Sequence, residues 1–529
     1  VSRLVFGNGT IVSALADRRR LRAVAVEGSR IVAVDDEALA GGGLRVDLRG
    51  RTLVPGFHDG HIHPVFGGPS LVGAPVRDAE SLDELLVNLR SYAANRPEPT
   101  WIRGFGYNPA LLPNGYGDAT VLDSAVSDRP VALTASDGHT MWVNSKALAA
   151  AGITAATQDP ERGKIVRRED GSPLGALLES AQRMIEAAAP PHSIDERRSG
   201  ILAALSEMAR HGITWGQDAW AGPDDVGLLL TMAGEAALPC RVNLAMVAAP
   251  EEWPRHVEAM VDAKRRAEEA NSEWVTARTV KFFADGIIET GTAALLEPYC
   301  DAPHRGIPNF TDEELVEAVT TFHSHGFQIH IHAIGDGAIR SALDAIGAAG
   351  QRNGPLQRPV IAHTQLVDPA DLPRFATLGV IANFEPLWAR LDPIMVDLTI
   401  PRLGSERAVH QYPIGSLLRS QARVSFGSDW PISSMDPLQG MAVAVTRCTE
   451  TGEPSNGWLP DERIDLDTAL RTYTAGSAYQ AGLEAESGSI EVGRRADLAI
   501  INADLDKVDP MDLWQLEVEQ TYLNGVPVR

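Results

Sequence analysis

The chain has 529 residues, 44% of them hydrophobic and 22% charged, the proportions of an ordinary globular protein. A formal net charge of −23 repels nucleic acid phosphates and anionic membrane surfaces, so neither is expected as a partner. Three widely spaced cysteines, Cys240, Cys300 and Cys448, offer no disulfide framework and no paired-cysteine metal motif, which points to a reducing, cytoplasmic setting.

The opening residues, Val1 to Phe6, lack the long apolar core of a signal peptide, and no run of about 18 apolar residues occurs to span a membrane. Arg3 to Phe6, Ala23 to Val26 and Arg30 to Val34 read as short strands separated by Gly7-Asn8-Gly9 and Glu27-Gly28-Ser29 turns. The C-terminus repeats the texture in Gly488 to Gly493, Ala496 to Ile501 and Gln520 to Val526. Residues 1–56 and 483–529 are therefore expected to build one small β-sandwich from both termini.

Between them, residues 57–482 alternate strand and helix. The candidate strands are the run ending in Phe57-His58-Asp59-Gly60-His61-Ile62-His63, then Ile213 to Asp218, Arg241 to Met246, Thr279 to Phe283, Phe327 to His332, Val360 to His363, Val380 to Phe384 and Val424 to Asp429. Amphipathic stretches separate most of them, as in Asp312 to Val319, where Thr311 is the expected N-cap. Eight strands alternating with helices imply an α/β fold of the (β/α)8 TIM barrel type. A long insertion, about 66–195, follows the first strand. It carries a hairpin at Lys164 to Arg168, turning at Glu169-Asp170-Gly171, and helices around Leu82 to Ala94 and Ser145 to Ala151. Leaving the C-terminal end of a barrel strand, it is expected to act as a lid or substrate-recognition subdomain.

Polar residues interrupt the apolar strands at one end. His61 and His63 close the first strand and, two apart, leave the same side of the backbone. Lys281 lies in the fourth strand, His332 in the fifth, His363 in the sixth and Asp429 at the end of the eighth. Barrel enzymes concentrate their chemistry at that end. Neutral imidazoles and a carboxylate suit Zn²⁺ and similar ions. An ammonium would repel a metal, so Lys281 becomes a ligand only if it is deprotonated and carbamylated by CO2. Otherwise it forms a buried salt bridge, with Asp285 as the nearest candidate in sequence.

This set resembles the amidohydrolase superfamily in its binuclear subtype with a carbamylated lysine. Three further groups of words resemble the YtcJ-like branch (amidohydrolase family 3), which includes N-substituted formamide deformylases. They are Lys281-Phe282-Phe283-Ala284-Asp285-Gly286 with Thr292 to Tyr299, His332-Ala333-Ile334-Gly335-Asp336 with Gly427-Ser428-Asp429-Trp430-Pro431, and Val143 to Leu148. The resemblance implies two divalent ions, expected to be zinc. His61, His63 and Asp429 would hold the more buried one, Lys281 would bridge, and His332 and His363 would hold the second. Asp429 would take a proton from an attacking water acidified toward pKa ~7 and pass it to the leaving nitrogen.

His330 shares a face with His332 and is assigned to packing or to support behind the ligands. His58 is expected to be structural, and His323 and His325 to serve helix C-terminal carbonyls. His139, in the insertion, resembles a family segment that reaches the pocket. Trp430, Trp388, Tyr107 and Trp101, with Phe105, are candidates for an aromatic substrate cavity. No arginine clamp is obvious, although Arg103, Arg390 and Arg305 are available. The expected activity is metal-dependent hydrolysis of a C–N amide or formamide bond in a small hydrophobic substrate. Ester, lactone or cyclic-amide hydrolysis would use the same residues. Deamination and a catalytically silent homologue rank lower, because Lys281 and all the other ligand positions are filled. A homodimer is the expected assembly.

Overall fold

A computed structural model describes residues 3–96, 100–136, 138, 140–160, 163–236, 238–250 and 252–528. Two compact units result: residues 1–64 together with 205–529, and the inserted residues 65–204. No helix among the described residues is long and apolar enough to cross a membrane.

The first unit contains a parallel barrel whose strands are β1 (Phe57–Ile62), β2 (Ile213–Ala221), β3 (Arg241–Val247), β4 (Val275–Phe283), β5 (Gln328–Ala333), β6 (Val360–His363), β7 (Ile381–Phe384) and β8 (Arg423–Phe426). They pair in sequence order from β1 to β8. The seam between the two ends is drawn together by the amides of Ser428 and Asp429, which donate to the carbonyl of His61 at 3.2 and 2.7 Å. Strands of a parallel sheet are covered on both faces, so they read as continuous apolar runs. β1, β5, β6 and β7 are buried at every position. The intervening helices follow from local signals. In Asp312–Ser324 the Thr311 hydroxyl accepts from the Glu314 amide, the Glu314 carboxylate accepts from the Thr311 amide, and Leu315, Ala318, Val319 and Phe322 form the buried stripe.

Both termini feed one eight-stranded sheet. Its order is Val526–Pro527, Val518–Leu523, Leu498–Ile501, Thr52–Pro55, Leu4–Val12, Arg20–Glu27 and Arg30–Val34, with Leu44–Asp47 also pairing with Leu4–Val12. Alternation divides its side chains. Phe6, Val24, Val26 and Ile31 share a core with Leu53, Leu498, Ile500 and Tyr522, whereas Val5, Ala23, Ala25 and Ala33 pack on Ala38 of a short helix. The expected strand over Gly488 to Gly493 is instead a loop. Gly488 and Gly493 take φ values of +83° and +93°, so the chain turns at both ends while Ile490 drops into the core.

His58 is a buried part of the barrel floor. Its Nε2 lies 2.9 Å from Ser487 Oγ, its Nδ1 3.2 Å from the Gly56 carbonyl, and its ring stacks on Trp215. Burial lowers its pKa from 6.5 to about 4, with the Gly56 hydrogen bond opposing and Arg241 assisting. The folded ring stays neutral while the unfolded one protonates. Its contribution is therefore fully present above pH 6.5 and is lost as pH falls toward 4, about 3 kcal/mol in all. The urea unfolding free energy of the wild type should thus fall more steeply between pH 6.5 and 4 than that of His58→Gln. Parallel slopes would remove His58 from the acid response.

The inserted unit has its own mixed sheet, in the order Gly163–Arg167, Pro173–Glu179, Thr140–Val143, Val131–Ala135 and Ile102–Tyr107. The hairpin at 163–179 and the helices Leu82–Ala94 and Ser145–Ala150 form where turn and cap residues call for them. Ser81 and Asn144 cap the two helices through their side chains. Two apolar clusters hold this unit together.

Candidate metal centre

β1 delivers His61 and His63 to one side, their ring centroids 5.1 Å apart. The His63 amide donates to the Trp430 carbonyl at 2.9 Å, which fixes the chain where β1 ends. β8 passes so close that a Cβ on Gly427 would lie 2.6 Å from His61 N and 2.8 Å from its Cβ; only glycine fits there. Just beyond, Asp429 adopts φ +55° and His363, at the end of β6, φ +69°. Non-glycine residues held in the left-handed region mark places where the fold imposes a side-chain direction.

Those backbones bring the polar atoms together. Asp429 Oδ1 lies 2.6 Å from His63 Nε2 and 3.3 Å from His61 Nε2, and the three donor atoms fall within 4.8 Å of one another. Lys281 Nζ, fully buried, sits 3.2 Å from His61 Nε2. The His363 ring centroid is 4.7 Å from that of His61 and 4.5 Å from that of His332. All six sequence candidates for ligands therefore meet at the carboxyl ends of the strands.

Burial governs the charges. It drives His61 and His332 well below the ordinary histidine range and His363 to about 3, so these rings are neutral. Burial also lowers Lys281 to about 7, against the pull of Asp429, Glu385 and Asp218. For Asp429, burial alone would raise the pKa. The hydrogen bond from His63 and the charges of His63, His363 and Lys281 outweigh it and keep the carboxylate ionised. The result is a set of imidazole lone pairs and a carboxylate converging in a buried space. That donor chemistry fits a divalent borderline cation.

Lys281 does not pair with Asp285. That carboxylate is consumed by the amides of Ala294, Ile334 and Gly335 at 2.9, 3.1 and 2.9 Å, which tie the segment after β4 to the end of β5. His323 serves a carbonyl, as expected, but that of Gly354 beyond the next helix and not its own.

The structure adds residues that sequence reasoning passed over. Glu385, just after β7, places Oε2 2.8 Å from His363 Nδ1, and its buried Oε1 has no hydrogen-bond partner among the described residues. Asp59 accepts the amides of His61 and Ser428 at 3.0 and 3.1 Å. Gln217 backs His330, which backs His61. Phe283 lies 5.4 Å from His332, and Trp220 lies 6.1 Å from His63 and 5.0 Å from Phe283 while 47% exposed. Phe283 was findable, because it stands two residues after Lys281 on the same strand face.

Among the expected pocket residues, Trp388 lies parallel to His363 at 5.4 Å and donates to Ser433 Oγ at 3.0 Å. Trp430 is buried and holds His63 through its carbonyl. Tyr107 is a correction. It has no exposed surface and packs on Trp142 in the inserted unit's core, so it offers a substrate no face. Trp101 packs, partly buried, against that unit's other cluster. His139 lies outside the described residues. Arg390 stacks over Trp514 and Arg305 pairs with Glu297, which leaves both engaged elsewhere.

A (β/α)8 barrel with a histidine–aspartate cluster at the carboxyl ends of its strands places the chain among the barrel enzymes built around a metal-type centre. It belongs to the amidohydrolase family, whose model matches residues 45–529. A protein of Bacillus subtilis (strain 168) named as an amidohydrolase, YtcJ, is 31% identical over 91% of this chain and 89% of its own length. The N-substituted formamide deformylase of Arthrobacter pascens is 27% identical over 96% of this chain and 94% of its own. The crystal structure of an uncharacterized metal-dependent hydrolase from Pyrococcus furiosus superposes with a TM-score of 0.75 at 26% identity, covering 96% of this chain and all of that one.

Proposed function

We propose that this protein is a metal-dependent hydrolase of a C–N amide or formamide bond in a small hydrophobic or aromatic substrate. The observation that carries the reading is the convergence of His61 Nε2, His63 Nε2 and Asp429 Oδ1 within 4.8 Å, with Lys281 Nζ 3.2 Å from His61. His61, His63 and Asp429 would hold one divalent ion, and His332 and His363 a second. Lys281, whose lowered pKa leaves much of the amine neutral and nucleophilic near pH 7, would join them as a carbamate. Ions so bound supply Lewis-acid polarisation of the substrate carbonyl and acidify the attacking water.

The protein's own residues do the rest. Asp429, ionised and hydrogen-bonded to His63, orients the water, accepts its proton on the carboxylate and returns it to the departing nitrogen. Glu385 fixes the rotation of the His363 ring, as an outer carboxylate does for a ligand imidazole. Trp388, Phe283 and Trp220 surround the histidines with aromatic surface, which suits an apolar amine or acyl group. The named activity of the Arthrobacter pascens relative supports the C–N choice over an ester.

A panel of N-formyl, N-acetyl and cyclic amides of aromatic and aliphatic amines tests this, assayed on protein before and after chelation and again after zinc is restored. Hydrolysis of at least one class, abolished by the chelator and recovered with metal, is the expected result. Activity indifferent to chelation would sink the metal assignment, and hydrolysis confined to lactones or esters would sink the C–N assignment.

A further inference from the structure

Gln217, His330 and Asn243 form a buried polar file behind His61 that the reaction above does not use. His330 Nε2 lies 3.0 Å from His61 Nδ1, and His330 Nδ1 lies 2.6 Å from the Gln217 amide nitrogen. Gln217 Oε1 in turn accepts a long, 3.4 Å contact from Asn243. Asn243 ends the file on two hydroxyls, donating to Thr279 Oγ1 at 2.8 Å and accepting from Thr276 Oγ1 at 2.7 Å. All three file residues are at most 1% exposed.

Every bond in this file has a direction. As arranged, Gln217 donates to His330 Nδ1, so His330 must carry its proton on Nε2 and donate it to His61 Nδ1. His61 then carries its own proton on Nε2, facing Asp429 Oδ1 at 3.3 Å. In this polarity His61 has no lone pair to offer a cation. With the Gln217 carboxamide turned over, its oxygen accepts from His330 Nδ1–H and His330 Nε2 accepts from His61 Nδ1–H. His61 Nε2 is then bare.

The turn demands little. The two ends of a carboxamide are nearly the same size, and only the long Asn243 contact is broken directly. Asn243 can turn as well, because the hydroxyls of Thr276 and Thr279 donate or accept equally. The protons balance: one leaves His61 Nε2, one moves from His330 Nε2 to His61 Nδ1, and one arrives at His330 Nδ1. Neither imidazole changes charge, which is what full burial requires of both. His363, by contrast, is backed directly by a carboxylate.

We propose that Gln217 and His330 are positioning residues whose hydrogen-bond polarity reverses to give His61 the lone pair that a divalent cation needs. The proposal rests on the metal reading above. It is tested on the full chain by competing zinc away with a chromophoric chelator and by recording the melting temperature of the metal-stripped protein. His330→Met should weaken zinc roughly 10- to 100-fold with little change in the stripped melting temperature. His330→Gln, whose carboxamide can accept from His61 Nδ1, should stay within about 5-fold of wild type, and Gln217→Met should fall between them. Wild-type affinity in His330→Met overturns the proposal. An equal loss in His330→Met and His330→Gln also overturns it, by reducing His330 to a space-filler. If His330→Met does not fold, Gln217→Met decides alone, and wild-type affinity there overturns the proposal. A wild-type chain that takes up no zinc fails the metal reading itself, a result visible before any variant is made.

Discussion

Asp429→Asn should lower turnover by roughly 10²- to 10⁴-fold, the range for removing a positioned general base. That corresponds to about 3–5 kcal/mol of lost transition-state stabilisation. An asparagine fills the same volume and still presents an acceptor oxygen to His63, 2.6 Å away in the wild type, so the local fold should survive. It cannot take a proton. The neighbouring charges that hold Asp429 ionised against its burial are what make it competent as a base, and they cannot make an amide one. The check is steady-state kinetics alongside metal analysis of the same preparation. A variant that retains its metal and turns over near the wild-type rate would show that the proton goes elsewhere.

Lys281→Ala should be nearly as severe. Outer partners of a metal site already cost 10- to 100-fold, so a residue placed between the two proposed ions should cost about 10²-fold or more. The loss should have a chemical signature. A carbamate is a carboxylate on a lysine stem, and alanine vacates space that acetate or propionate can enter, so added short carboxylates should restore part of the activity. Wild-type protein incubated with ¹³C-bicarbonate should show a carbamate resonance that Lys281→Ala lacks. Burial supports the modification, since an amine lowered to about 7 is substantially unprotonated at neutral pH. If no resonance appears and Lys281→Met remains active, Lys281 is a buried amine that serves the fold alone.

The sequence by itself determined the barrel. Strands covered on both faces must be apolar throughout, and helices between them must alternate with period 3.6, so strand order and the Thr311 cap are local properties. It also determined the six polar positions. A histidine, lysine or aspartate at the end of an apolar strand stands out against its neighbours, and period two puts His61 and His63 on one side. The turn residues at 169–171 and the caps of the inserted helices were legible for the same reason.

Only the tertiary structure decided what each of those residues meets. Periodicity reports a face and never a partner. Lys281 is adjacent in sequence to Asp285 but touches His61, because Asp285 is already satisfied by three amides from two other segments. Tyr107 has the composition of a pocket wall yet is sealed in a core, which depends on Trp142 arriving from another strand. Gly488 to Gly493 alternates like a strand, and its two left-handed glycines make it a loop. The left-handed backbones of His363 and Asp429, which aim the imidazole and the carboxylate inward, leave no mark in the sequence at all. Neither does the file from Gln217 through His330 to His61, assembled from β2, β5 and β1, strands that lie far apart along the chain. Residues that supply chemistry are conspicuous by type. Those that orient them are recognised only when distant strands have closed on each other.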